Sequence, residues 1–384
     1  MPGAGRRSRT RDSCLTLARF EVTRTLLIAP QWIGDAVMSQ PLLARLAARG
    51  ERLTVAALPW VAPVYRAIDD VDLVIELPFA HGRLDFAARR RLAAQWRGRF
   101  DLAYVLPNSL KSALLPFLAR IPRRVGYHGE SRWGLLTERL PNPSGRPPMV
   151  AFYSALAGPL SSGDQSARPR LVFAHSKLNA VTAELGLAPG GYFAFAPGAE
   201  YGPAKCWPPA HYASLAASLH LRHGVPVLLL GSARERESCE GIAAAADAVS
   251  AGACRVLCGS LQLIDAMALI AAARGVASND SGLMHVAAAF GVPQVAMFGS
   301  TSPEHTPPLN RRAAVLWMKR ELALDCAPCF DRVCRFGHTR CLTELPPERA
   351  EKALEAMIAG AREQAVPLTD APTKSNPQVP NLPT

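Results

Sequence analysis

The sequence predicts an α/β protein built as two doubly wound parallel-sheet domains that face each other across a cleft. Three observations carry this. Short apolar strands alternate with amphipathic stretches from residue 24 to about 119, a pattern that puts helices on both faces of a parallel sheet. The same alternation restarts near residue 190 and runs to about 299, after an irregular interval. The chain has 384 residues, 49% of them hydrophobic, enough for two domains with separate cores.

The elements follow in order. A strand at 24–29 ends in Ala29-Pro30, and Gln31-Trp32-Ile33-Gly34-Asp35 makes a glycine turn from which Asp35 opens a helix over 36–49. A strand at 53–57, a helix near 60–68, a strand at 71–77 and a helix at 84–99 come next. The strand 102–106 ends at Pro107-Asn108-Ser109, where Ser109 can cap a helix over 110–119. Residues 120–139 read as an irregular basic stretch, and 141–148 as a proline-rich loop. The second half has strands at 192–197, 225–231, 255–259, 274–278 and 294–299, and helices at 208–222, 235–246, 261–274 and 283–290. Residues 346–361 form one more amphipathic helix. The expected divisions are a basic disordered extension (1–20), a first domain (21–172), a linker (173–189), a second domain (190–345), a C-terminal helix (346–366) and a disordered tail (367–384).

The stretch Ser278-Asn279-Asp280-Ser281-Gly282-Leu283-Met284-His285 carries the sharpest local signal. A strand delivers Asp280, Ser281 and Gly282 to the start of a helix that Gly291 closes. Asp280 or Ser281 supplies the N-cap oxygen. The free amides of such a helix start favour an anion such as a phosphate. An ordinary βαβ unit with a polar cap has the same pattern, so the local sequence leaves both readings open. In open α/β sheets, ligands bind beyond the carboxyl ends of the strands. The strand-end residues then form one set from distant positions: Gly34, Asp35, Asn108, Ser109, Lys205, Ser232 and Asp280 through His285.

Composition narrows the partners. The net charge of +12 favours an anionic partner. Motifs of nucleic-acid binding are missing, so a phosphorylated substrate or an anionic lipid is favoured over nucleic acid. No apolar run approaches the roughly 20 residues of a membrane span, and residues 1–20 lack the apolar core of a secretory signal. A P-loop, a G-x-G-x-x-G after a strand and a G-x-S-x-G elbow are also missing, which argues against a kinase, a dinucleotide oxidoreductase and an α/β hydrolase. What remains is a cleft with polar groups at helix starts. Lys205 is either a diphosphate-neutralising cation or a solvated loop lysine. Asp35 is either a proton acceptor or a plain helix-start aspartate.

Several ordered blocks carry a resemblance. They are Trp32-Ile33-Gly34-Asp35 with Val37-Met38-Ser39-Gln40-Pro41; Leu106-Pro107-Asn108-Ser109-Leu110-Lys111-Ser112-Ala113-Leu114; Gly126-Tyr127-His128-Gly129-Glu130-Ser131-Arg132-Trp133-Gly134; Pro197-Gly198-Ala199-Glu200-Tyr201-Gly202-Pro203-Ala204-Lys205-Cys206-Trp207-Pro208; and the Asp280 block. Together, from about residue 24 to about 362, they resemble the bacterial ADP-heptose:lipopolysaccharide heptosyltransferases, of the heptosyltransferase II type. The resemblance implies the GT-B fold, two Rossmann-like domains with the acceptor domain first and the ADP-heptose domain second. It implies inverting transfer of heptose from ADP-heptose to the first heptose of heptosyl-Kdo2-lipid A, with no cofactor and no metal, at the cytoplasmic face of the inner membrane and in peripheral contact with anionic lipid. The family's catalytic aspartate falls on Asp35 and its diphosphate lysine on Lys205. Its Asp-[Thr/Ser]-Gly…His block falls on Asp280, Ser281, Gly282 and His285, and implies contacts to diphosphate and sugar. An acidic residue, Glu235 or Glu237, is implied at the adenosine ribose, with Leu261 under the adenine. Asn108, Ser109, Lys111, Arg120, Arg123, Arg124 and Arg132 are expected where the phosphorylated acceptor approaches. The alternatives are heptosyltransferase I or another related glycosyltransferase, and a non-catalytic nucleotide-sugar or anionic-lipid binding protein.

Cys326-x2-Cys329-x4-Cys334 and Cys341, with His338 between, have the look of a metal site. Only one C-x2-C knuckle is present, where a structural zinc site usually shows two. The expectation is therefore no metal, with these four cysteines as the alternative.

Overall fold

The computed structural model describes residues 22–79, 84–161 and 167–363. The extension expected at 1–20, the tail expected at 367–384 and the last residues of the helix expected to reach 366 lie outside the described residues.

The first half contains strands β1 (Arg24–Ile28), β2 (Arg52–Ala57), β3 (Leu73–Glu76), β4 (Leu102–Val105), β5 (Arg123–Tyr127) and β6 (Glu138–Leu140). Its helices are α1 (Ile33–Met38), α2 (Gln40–Ala47), α3 (Ala62–Arg66), α4 (Phe86–Trp96), α5 (Leu110–Leu118) and α6 (Met149–Ser154). Helix α7 (His175–Glu184) lies in the segment expected to be a linker. The second half has β7 (Phe193–Ala196), α8 (Pro209–His223), β8 (Val227–Leu229), α9 (Arg236–Asp247), β9 (Cys254–Val256), α10 (Leu263–Ala271), β10 (Gly275–Asn279), α11 (Gly282–Ala289), β11 (Gln294–Phe298), β12 (Ala313–Trp317), α12 (Arg340–Thr343) and α13 (Pro347–Glu363).

Both sheets are wound the same way. The first runs β3-β2-β1-β4-β5-β6 and the second β9-β8-β7-β10-β11-β12, every described pairing being parallel. The direction of winding reverses between β1 and β4 and between β7 and β10. That reversal opens a crevice outside the carboxyl ends of those strands. The central strands are buried on both faces, as β10 and β11 are over their whole lengths. This is why they read as continuous apolar or small-residue runs rather than alternating ones. Each leucine removed from water here contributes roughly 1.5–3 kcal/mol, and Leu26, Leu27, Leu228 and Leu229 are fully buried.

Several expectations need correction. The helix expected over 36–49 is two helices broken at Ser39. Pro41 cannot donate to the carbonyl of residue 37 and its ring crowds that turn, and Ser39 Oγ donates instead to the Ala36 carbonyl at 2.8 Å. The basic stretch 120–139 contains β5 and the edge strand β6. Its charged residues disguise the strands: Arg123 and Glu138 sit at their exposed starts and pair across them at 2.9 Å. The C-terminal helix docks Ala350, Leu354 and Ile358, a stripe at four-residue spacing, onto the second sheet, with Leu354 and Ile358 reaching Gly275.

Candidate active site

The two sheets meet through two helix starts. The backbone of Gly34, in the first turn of α1, lies against His285 and Gly282 of α11, and Gly282 in turn lies against Ile33 and Gly34. A Cβ on Gly282 would stand 2.8 Å from Ile33 Cβ, and one on Gly34 would stand 2.9 Å from His285 Cδ2. Neither position tolerates a methyl without the halves moving apart. Gly282→Ala is therefore expected to cost about 1–3 kcal/mol through overpacking. By misaligning the two walls it should also slow turnover on the order of tenfold to a hundredfold. Thermal midpoints and kcat measured on the same preparation check this.

Asp35 stands in the first turn of α1 and is half-buried. Tyr153 of α6 donates its hydroxyl to Asp35 Oδ1 at 3.1 Å. Burial pushes the carboxyl pKa up. The Tyr153 hydrogen bond and the charges of His305 and Lys205 oppose this, and Asp280 adds to it. Facing it, Lys205 Nζ pairs with Asp280 Oδ2 at 2.7 Å, and Thr301 Oγ1 donates to the same oxygen at 2.6 Å. Ser281 holds the cap position of α11 in extended conformation without a side-chain cap bond. Its buried Oγ has no hydrogen-bond partner among the described residues. His285 is buried and its pKa falls to about 4 through desolvation, with Asp280 raising and Lys205 lowering it, so the imidazole is neutral at pH 7.

Asn279, the last residue of β10, ties this corner together. Its Oδ1 accepts from the Trp207 amide and the Tyr212 hydroxyl, both at 3.0 Å, and its Nδ2 donates to the Pro197 carbonyl at 2.5 Å. These bonds hold the loop from the end of β7 to α8, and so Lys205, against the start of α11.

From this corner a cleft of about 870 Å³ runs along the second sheet, bounded by Trp32 and Trp60 from the first half and by Glu235, Leu261, Ser281 and Arg332 from the second. Glu235 accepts from the amide and hydroxyl of Ser232 at 2.6 and 2.9 Å, and its carboxylate rests on Gly198 and Gly231. Glu237 is exposed on α9 and is not among the cleft residues. The sequence left these two glutamates unseparated; the fold separates them.

The expected acceptor residues divide into two groups. Asn108, Ser109 and Lys111 lie after β4, at the same sheet edge as Asp35. Arg120, Arg123 and Arg124 do not join them. They precede or begin β5, and in a parallel sheet strand starts lie at the edge opposite the cleft. Arg123 pairs with Glu138, and Arg124 Nε donates to the Leu135 carbonyl at 2.7 Å. Arg132 is buried, with Nη1 on the Pro107 carbonyl at 2.8 Å and Nη2 on Asn108 Oδ1 at 3.2 Å. It shapes the loop after β4 and does not present its charge to solvent. Sequence reasoning missed Tyr153, His305 and Thr301. Thr301 follows the end of β11, where the strand-end rule would have found it; Tyr153 lies just beyond the proline-rich loop, in a stretch to which the sequence assigned no element.

The four loop cysteines line a separate cavity of about 20 Å³, too small for any substrate.

Two same-wound Rossmann-like sheets, joined at their carboxyl edges around a nucleotide-sized cleft with an aspartate on one wall and a lysine on the other, define a GT-B glycosyltransferase. Residues 89–340 match glycosyltransferase family 9 (heptosyltransferase), and the chain belongs to that family. It is 41% identical over 305 residues to lipopolysaccharide heptosyltransferase 2 of Salmonella typhimurium, covering 76% of this chain and 87% of that protein. It is 38% identical over 347 residues to lipopolysaccharide heptosyltransferase 2 of Escherichia coli, covering 87% of this chain and 98% of that protein. The solved structure of E. coli ADP-heptose lps heptosyltransferase II superimposes with a TM-score of 0.76 at 36% identity, covering 89% of this chain and all of that one.

Proposed function

We propose that this glycosyltransferase moves heptose from ADP-heptose onto the first heptose of heptosyl-Kdo2-lipid A by a single inverting displacement. The observation that supports it best is the opposition of Asp35 to the Lys205–Asp280 pair across the Gly34–Gly282 contact. Asp35 takes the proton of an acceptor hydroxyl, and its burial, which raises its basicity, suits that task. The acceptor oxygen attacks the anomeric carbon from the side opposite the diphosphate. As the bond to the diphosphate breaks, Lys205 and the amides at the start of α11 take up the growing charge, and no step requires a metal. The unpartnered Ser281 hydroxyl suits a diphosphate oxygen or a sugar hydroxyl. Neutral His285 packs the turn that holds Gly34. Glu235 offers its carboxylate to the ribose hydroxyls and Leu261 an apolar face to the adenine. Asn108, Ser109 and Lys111 belong to the acceptor side.

Glu235→Gln retains the capping geometry, since glutamine also serves at that position. It should raise the donor KM about tenfold while leaving kcat nearly unchanged, as expected for a charge-assisted bond made equally in ground and transition states. Glu237→Gln should leave both parameters within about twofold. Steady-state kinetics on the pair decides it.

Among the described residues no helix is long and apolar enough to cross a membrane. The proposed placement is peripheral, on the cytoplasmic face of the inner membrane, where the acceptor lipid lies and basic surface meets anionic lipid. The function is tested by transfer from ADP-heptose to acceptors bearing zero, one or two heptoses. Transfer only to the one-heptose acceptor supports the reading. Transfer to the zero-heptose acceptor would assign the first-heptose step instead, and ADP-heptose binding without any transfer would leave only a binding protein.

A further inference from the structure

We propose that His305, in the second half of the chain, is a positioning residue for Asp35 in the first. It fixes the start of α6 and, through Tyr153, the direction of the Asp35 carboxylate; this rests on Asp35 being the proton acceptor.

The path is a series of direct contacts. His305 Nδ1 lies 2.7 Å from the Pro147 carbonyl oxygen. A carbonyl oxygen only accepts, so Nδ1 carries the proton and donates it. In return Met149 N, the first amide of α6, donates to the His305 carbonyl at 3.0 Å. Amides of a first helical turn have no partner inside their own helix, and here one of them is satisfied from across the interface. Pro147 and Pro148 lie between the two bonds, and their rings fix φ. A bond at the Pro147 carbonyl therefore sets the direction in which α6 leaves. One turn further on, Tyr153 donates to Asp35 Oδ1 at 3.1 Å. The neighbouring Phe152 ties α6 to its own half: its carbonyl accepts from the Tyr127 hydroxyl at 2.5 Å, and the two rings stack with centroids 4.1 Å apart. A second cross-interface contact lies beside the first. The Arg146 guanidinium sits 3.7 Å over the Phe330 ring, whose centroid is 6.3 Å from that of His305.

The other end of the path is the wall that holds the leaving group. The amides of His305 and Thr306 both donate to the Ser302 carbonyl, at 3.1 and 3.2 Å, closing a turn. Thr306 Oγ1 donates to Asp280 Oδ1 at 3.4 Å and Thr301 Oγ1 to Asp280 Oδ2 at 2.6 Å, and Asp280 is the partner of Lys205. Residues 301–306 thus touch Asp280 on one side and the helix of Tyr153 on the other. The base and the cation are held in one frame across the interface, where a misplacement of about 1 Å can cost about 10²-fold in rate. Charge acts in the same direction as geometry. Burial raises the Asp35 pKa; of the groups facing the carboxyl, Tyr153, His305 and Lys205 lower it and Asp280 raises it.

The test is transfer kinetics on the full chain carrying His305→Ala, His305→Asn, Tyr153→Phe, Asp35→Asn, or His305→Ala with Tyr153→Phe. Asparagine places an amide N–H where Nδ1 stands and keeps the bond to Pro147. His305→Ala should lower kcat about tenfold and move the acid limb of the kcat/KM profile to higher pH. Its affinity for ADP, read by calorimetry, should stay within about twofold of the parent, because only the base side is disturbed. His305→Asn should restore kcat to within about threefold. On a Tyr153→Phe background, His305→Ala should cost less than about twofold more, as expected of two groups on one path. Parental kcat and acid limb in His305→Ala overturn the proposal. So does an equal loss in His305→Asn, an additive loss with Tyr153→Phe, or a parallel loss of ADP affinity, which would make His305 a structural prop. Parental transfer by Asp35→Asn removes the base itself, and the proposal with it, whatever the His305 variants do.

Discussion

Asp35→Asn should lower the rate of sugar transfer by roughly 10²–10⁴-fold, the usual contribution of a positioned base, while ADP-heptose still binds. Asparagine keeps the shape and the hydrogen bond from Tyr153 but cannot take the acceptor's proton. The same substitution should stabilise the fold. Burial raises the Asp35 pKa above the ordinary aspartate value of 3.8, so the folded state holds this proton more tightly than the unfolded chain does. The contribution favours folding at low pH and is lost as pH rises through the folded pKa; at neutral pH the buried carboxylate is a cost that asparagine removes. A gain of about 1 kcal/mol, within the range of single stabilising changes, should appear in thermal denaturation at pH 7 and shrink toward pH 4. Tyr153→Phe completes the argument. It removes a bond that lowers the Asp35 pKa, so the acid limb of the kcat/KM profile should move to higher pH. An unchanged rate in Asp35→Asn, or an acid limb indifferent to Tyr153, would remove Asp35 from the chemistry.

The parallel sheets were legible because their strands are buried on both faces and therefore apolar throughout, as in Leu26-Leu27-Ile28 and Val295-Ala296-Met297. The helix starts that face the cleft were legible for a related reason: a strand followed by small polar residues and a helix has few other uses. The edges were harder. Strand β6 is three residues with one face in solvent, and β12, with an exposed Val315 in its middle, lacks the periodicity that marks a buried strand. The arginines at 120–124 misled because composition reports charge but not which end of a parallel strand carries it. Tyr153 was invisible for a different reason. Its bond to Asp35 spans more than a hundred residues and arises only when α6 packs beside α1. The separation of Glu235 from Glu237 likewise depended on the turn at 233–235, where a capping box folds the Glu235 carboxylate back onto Ser232 and leaves Glu237 exposed on the following helix.

Lys205 offers the sharpest test of how function and stability are divided in this site. Its side chain is 14% exposed and that of Asp280 4%, so the pair is nearly out of water. Lys205→Met should cost about 3–5 kcal/mol, because the Asp280 carboxylate is left buried with no cationic partner. It should also slow transfer by roughly 10²–10³-fold through lost stabilisation of the departing diphosphate. These losses have separate origins, and a second substitution divides them. In the double variant Lys205→Met with Asp280→Asn the unpaired charge is gone, and the Thr301 hydroxyl, which donates to Asp280 Oδ2, can donate to the amide oxygen in its place. Stability should return to within about 1 kcal/mol of the parent, since a buried ion pair replaced as a unit is often neutral. Activity should not return, because nothing positive then faces the diphosphate. Denaturation and transfer rates on the four proteins of this cycle give the coupling directly. Recovery of both quantities together would make Lys205 a structural counter-ion to Asp280 and would leave the leaving group to the amides of α11 alone.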